Sequence, residues 1–155
     1  MSNTLKLTRQ IAAHPDKVWR CLVEPELLKQ WFAPTPTVVT EVELDPRPGG
    51  IFRTVMEVPG HGTMAGDPGC ILLAEPSRRL VWTSALGPEF GPNVVPEGGW
   101  VFTADIRLTP TEAGCRYEVL AHHATAESAQ EHETMGFSMG WGAAADQLNA
   151  LAQTL

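Results

Sequence analysis

The stretch WVFTADIRLTPTEAGCRYEVLAHH, residues 100–123, contains two runs in which side-chain character alternates at nearly every step. In the first, Trp100, Phe102, Ala104, Ile106 and Leu108 oppose Thr103, Asp105 and Arg107. In the second, Tyr117, Val119, Ala121 and His123 oppose Arg116, Glu118 and His122. Period two is the mark of a strand with one face in a core and one in water. The Glu-Ala-Gly turn between the runs is too short for a crossover connection, so they must pair antiparallel.

Upstream the same pattern recurs in TVVTEVEL (37–44), GGIFRTVMEV (49–58), GCILLAE (69–75) and RLVWTSAL (79–86), each bounded by Pro or Gly turns. These make six strands in an antiparallel meander. Ahead of them LKLTRQI predicts a first strand over 4–12. Pro15, with Val18, Trp19 and Leu22 at helical spacing, predicts a helix over 15–23, and PELLKQWF a second short one closed by Pro34 and Pro36. After the meander, Ser128 followed by Glu131 reads as a capping box opening an uninterrupted helix to the C-terminus.

A one-sided sheet must be covered, and the last helix is the one element large enough to cover it. The expected fold is therefore α+β, in one domain spanning 1–155. A seven-stranded curved antiparallel sheet wraps a long C-terminal helix, with two short helices between strands 1 and 2.

The chain is 43% hydrophobic and carries a formal charge of −7 without any Lys/Arg run, which disfavours nucleic acid and anionic membranes as partners. No apolar stretch approaches the ~20 residues of a membrane span, and MSNTLKLTRQ lacks the apolar core of a signal peptide. A cytoplasmic protein is expected. Cys21, Cys70 and Cys115 are dispersed and odd in number, which reads as buried free thiols. His61, between two glycines, reads as an exposed turn histidine, with Asp67 available to a pocket rim.

Strand parity selects the side chains that face the helix. They are Phe52, Thr54 and Met56; Trp82 and Ser84; Trp100 and Phe102; Tyr117 and His123. Large apolar side chains pack cores by default. The few polar members among these aromatics suit an apolar pocket with sparse orienting hydrogen bonds. At 100° per residue, Phe137, Trp141, Ala144, Leu148 and Leu151 form the stripe of the last helix that meets the sheet. Trp141 is expected at the centre, beside Phe52 and Phe102.

The same wheel sends His132 to the opposite face, away from an inward His123, so no metal site is expected and no cofactor is assigned. It sends Glu133 towards the cavity mouth, where it could pair with His123 as an acid/base couple or serve the helix N-terminus. Met135 and Met139 leave the helix apolar on a second side, to be covered by LGPEFGPNVVPEGG (86–99) or by a second subunit in a homodimer. No Gly-x-Ser-x-Gly elbow, phosphate loop or dinucleotide fingerprint is read, and no catalytic motif is assigned.

HPDKVWRCLVEPELLKQWFAP (14–34), PGGIFRTVMEVPGHGT (48–63), EPSRRLVWTSAL (75–86) and GFSMGWGAAADQLNALA (136–152) occur in the order in which similar phrases occur in one family. The chain resembles the START-like, or helix-grip, superfamily, also called birch-pollen-allergen-like. Within it the chain is most similar to the branch of homologues of the activator of the heat-shock chaperone ATPase. The resemblance implies a cavity between sheet and helix for a small apolar or amphipathic molecule, with Trp31 and Phe32 closing its mouth. An enzyme of the cyclase, dehydratase or hydrolase kind and a cochaperone-like interaction module are the alternatives it leaves open.

Overall fold

The computed structural model describes residues 2–155. Its elements are β1 (Thr4–Ile11), α1 (Pro15–Val23), α2 (Pro25–Leu28), β2 (Val38–Leu44), β3 (Ile51–Val58), β4 (Gly62–Ala65), β5 (Gly69–Glu75), β6 (Arg79–Thr83), β7 (Phe102–Thr111), β8 (Gly114–His123), α3 (Ala126–Thr134) and α4 (Phe137–Ala152). The sheet runs β1-β8-β7-β6-β5-β3-β2, every neighbour antiparallel, so the expected seven-strand path is present. The short β4, exposed along its length and not anticipated, pairs with β3 off this path. Among the described residues no helix is long and apolar enough to cross a membrane.

Local chemistry places the short helices. The His14 imidazole accepts from the Asp16 N–H at the start of α1, Pro15 occupies the first helical position, and Pro25 forces a new start for α2. α2 ends at Leu28, short of the expected Phe32, and the chain then turns through Trp31. In the β7–β8 hairpin Gly114 has φ 140°, and a Cβ there would lie 2.4 Å from the Ile11 carbonyl oxygen; the turn closes onto β1 through glycine alone.

The uninterrupted last helix divides in two. Thr125, not Ser128, is the cap: its hydroxyl accepts from the Ser128 N–H and opens α3. α3 stops at Thr134, Gly136 takes a left-handed φ of 107°, and α4 restarts at Phe137. The stripe holds within α4, where Phe137, Ala144 and Leu148 are buried, but it does not extend back across Gly136.

Beneath the concave face Ile11, Val18, Leu22, Leu28, Trp31, Ile71, Leu80, Ile106, Val119, Phe137 and Leu148 form one cluster. Cys21, Cys70 and Cys115 are buried free thiols, with Cys21 and Cys115 pushed up to about 11 by burial. On the convex face Asp105, only 3% exposed, accepts from Arg79 at 2.8 and 2.9 Å and from Arg107 at 2.9 Å. Burial alone would raise its carboxyl; the two guanidiniums outweigh that and hold it below the usual carboxylate value.

Candidate functional site

A cavity of about 450 Å³ opens between the sheet and α4. Of the side chains expected to face one, Trp31, Phe32, Phe52, Thr54, Met56, Trp82, Ser84, Phe102 and Trp141 line it. Further wall comes from Ala33, Pro34, Thr37, Arg53, Val58, Gly66, Asp67, Gly69, Gly140 and Ala144. Half of these, Ala33, Pro34, Thr37, Gly66 and Asp67, come from connections between elements, where strand parity has nothing to say.

The opening follows from sheet topology. β4 pairs with Val55–Val58 of β3, and β5 pairs with β3 only through Ile51 and Phe52. Arg53 and Thr54 therefore have no strand partner on that side, and both line the cavity beside Gly66, Asp67 and Gly69 from the β4–β5 connection. Across the cavity, Gln147 of α4 fixes the opposite wall. Its Nε2 donates to the carbonyls of Trp31 (3.0 Å) and Ala33 (2.8 Å), and its Oε1 accepts from the Thr35 N–H at 2.9 Å.

The aromatic side chains form a closed circuit. Phe52 stacks on Trp82 with centroids 4.4 Å apart; Trp82 meets Phe102 at 5.4 Å and Phe102 meets His132 at 4.8 Å. His132 meets Phe137 at 5.1 Å, and Phe137–Trp141, Trp141–Phe32 and Phe32–Phe52 each stand at 5.8 Å. Trp141 thus contacts Phe32 and Phe137 rather than sitting centrally beside Phe52 and Phe102. Edge-to-face geometry dominates, so the rings hold one another at fixed angles. Trp31 Nε1 donates to the Cys21 carbonyl at 2.9 Å, whereas the buried Trp82 Nε1 has no hydrogen-bond partner in the protein.

Five expected residues lie outside the cavity lining. Tyr117 is fully buried against Trp31, its hydroxyl unpartnered and pushed up by burial. Trp100 covers His123 and His132, with centroids at 4.9 and 4.6 Å, and Phe137 packs behind. His132 is not on the opposite face: its Nδ1 lies 2.9 Å from His123 Nε2. The wheel failed because it was carried across the break at Gly136. Burial pushes the His132 imidazole down to about 4 and the His123 imidazole below its ordinary value. His123 Nδ1 has no partner, and a buried lone pair is tolerated more readily than a buried N–H, which makes His123 Nε2–H the donor to His132 Nδ1. Among the described residues no group of three or more His, Cys, Asp or Glu is placed to hold a metal ion.

Glu133 does not meet His123; its carboxylate accepts from the Ser138 hydroxyl at 3.0 Å. Ser138 lies in Gly136-Phe137-Ser138-Met139-Gly140, so a Gly-x-Ser-x-Gly sequence is present after all, though not as an elbow. A nucleophile elbow requires a strand-to-helix turn and an imidazole on the serine. Here a helix precedes the motif and the serine, exposed, bonds a carboxylate. Met135 and Met139 are 77% and 83% exposed, and residues 86–99 do not cover them.

The sequence matches the model of the family described as "Activator of Hsp90 ATPase homolog 1-like protein" over residues 12–153. A solved structure of a Nitrosomonas europaea protein is 43% identical, covers 97% of this chain and 94% of its own, and superposes with a TM-score of 0.91. One from Rhodobacter sphaeroides is 25% identical, covering 100% and 95%, with a TM-score of 0.84. One from Mycobacterium smegmatis is 27% identical, covering 97% and 90%, with a TM-score of 0.79. No curated protein matches the chain.

Proposed function

The chain belongs to the activator of Hsp90 ATPase homolog 1-like family, and from that premise we propose that it binds a small apolar or amphipathic molecule in the cavity between its sheet and α4. The observation that carries this reading is the wall itself: about 450 Å³ framed by Phe32, Phe52, Trp82, Phe102 and Trp141, with Thr54 and Ser84 as sparse polar points. That volume and composition fall within the range of small-molecule sites. We retain with it a single-domain protein of the cytoplasm acting without nucleic acid or membrane, for which the charge of −7 is the support.

Thermal-shift screening of lipids and aromatic compounds, with native mass spectrometry of protein extracted gently from cells, tests the proposal. A binder should raise the melting temperature of the unmodified chain and not of Gly140→Phe, which places a ring at a wall position where a Cβ meets nothing within 4 Å. Equal protection of both proteins would put the ligand elsewhere and overturn the reading.

A second reading, an interaction module of the kind the family's description suggests, is favoured by the exposed Met135 and Met139. Its test is a change in a chaperone's ATP hydrolysis that Met135→Glu with Met139→Glu abolishes. A homodimer through the same face is the remaining form of it, read by light scattering.

A further inference from the structure

We propose that the cavity selects its ligand by charge, taking aromatic or apolar molecules that carry an amine in preference to those that carry a carboxylate. The inference rests on the cavity-binding reading above and adds the sign of the ligand's polar end.

Among the described residues two charged residues border the cavity, Arg53 and Asp67. Strand alternation turns the Arg53 guanidinium to the convex face, opposite Phe52 and Thr54, where its Nη1 lies 3.1 Å from Glu43 Oε1 and 3.4 Å from Glu41 Oε2. No guanidinium is therefore turned inward to receive an incoming carboxylate. Asp67, exposed in the β4–β5 connection, has no ion-pair or hydrogen-bond partner among the described residues. Asp67 therefore sets the sign of the charge at the rim, and the whole chain at −7 adds to it.

The walls reinforce the selection. A carboxylate drawn inward would meet rings and neutral donors only, the unpartnered Trp82 Nε1–H among them, which replace little of its hydration. An ammonium at the rim meets Asp67 and, one step inward, the π faces of Trp82 and Trp141, to which a cation is attracted. Fatty acids and aryl carboxylates are thereby disfavoured, and neutral or amine-bearing aromatics favoured.

Isothermal titration of the full chain at pH 7 with three probes of one skeleton tests this: 2-naphthylmethylamine, 2-naphthalenemethanol and 2-naphthoate. At low salt the amine should bind on the order of tenfold more tightly than the carboxylate, with the alcohol between them, as expected for a few partly screened charges near the rim. Half-molar salt should compress the series, and Asp67→Asn should weaken the amine far more than the alcohol, bringing the two close together. If the alcohol binds but the carboxylate equals or exceeds the amine, the charge selection is wrong and the cavity reading survives. Persistence of the full amine preference in Asp67→Asn overturns the role given to Asp67. If none of the three binds, the cavity reading falls and this inference with it.

Discussion

His132 Nδ1 and His123 Nε2 stand 2.9 Å apart, joining α3 to the end of β8 beneath the Trp100 ring. Both imidazoles are held neutral by burial, with His132 down at about 4. In the unfolded chain a histidine takes its proton near 6.5. Between those values the unfolded state binds more protons than the folded one, so stability falls as pH drops from 6.5 through about 4. The loss should be about 1–2 kcal/mol after allowing for the part of His132 that water reaches. His132→Asn, which keeps an acceptor near the Nδ1 position without a titrating ring, should flatten this limb in urea titrations between pH 7.5 and 4.5. An unchanged slope would assign the acid sensitivity to other groups.

Gly136 and Gly140, four positions apart, should respond oppositely to alanine. Gly140 is helical and a Cβ there meets nothing within 4 Å, so Gly140→Ala should stabilise by about 0.5–1 kcal/mol through the unfolded chain. Gly136, at φ 107°, ends α3 in a backbone conformation that a side chain strains. Gly136→Ala should cost about 1 kcal/mol. Chemical denaturation midpoints at constant m-value check both.

Gln147→Ala removes all three hydrogen bonds that α4 makes to the segment from Trp31 to Thr35. A loss of about 1–3 kcal/mol is expected from the unpaired backbone groups. Because Trp31, Ala33 and Pro34 are cavity wall, hydrogen exchange in residues 31–37 should rise more than in β8.

Asp105→Ala leaves Arg79 and Arg107 without the carboxylate that they share. Both guanidiniums reach water, so the expected cost is about 1–3 kcal/mol, below that of stranding a fully buried charge. The Asp105 carboxyl is held below its ordinary value. Its contribution is therefore present above about pH 4 and lost as pH falls through the folded value. In the variant, the acid limb below pH 4 should be shallower than in the parent.

Leu148 is wholly buried, whereas Trp141 is half-buried on the cavity wall. Leu148→Ala should cost about 2–5 kcal/mol, the usual range for a core leucine. Trp141→Ala should cost less, because much of its ring faces the cavity rather than packed neighbours. A larger loss at Trp141 than at Leu148, by urea denaturation, would mean that the cavity is closed in solution.

Strand periodicity located the meander because alternation is local: Trp82, Ala104 and Ala121 fall in one row across β6, β7 and β8, as parity alone requires. The α4 stripe was legible for the same reason. Periodicity cannot report phase across a discontinuity, and Gly136 resets the helical phase by a single left-handed residue. His132 and Glu133 were misplaced together by that one break. The rim was harder still to read: Asp67 was offered to it, but Gly66 and Pro34 occupy turns whose positions depend on long-range pairing rather than on neighbours in the chain.

The divergence of β4 and β5 along β3 also bears on kinetics. A molecule larger than the resting aperture need not wait for α4 to lift off the sheet; it has only to fray β4, whose four residues are exposed and held by a single neighbour. Admission rates should therefore follow the opening frequency of that short strand rather than global unfolding, and substitutions that strengthen β4 should slow entry and exit alike while leaving affinity nearly constant.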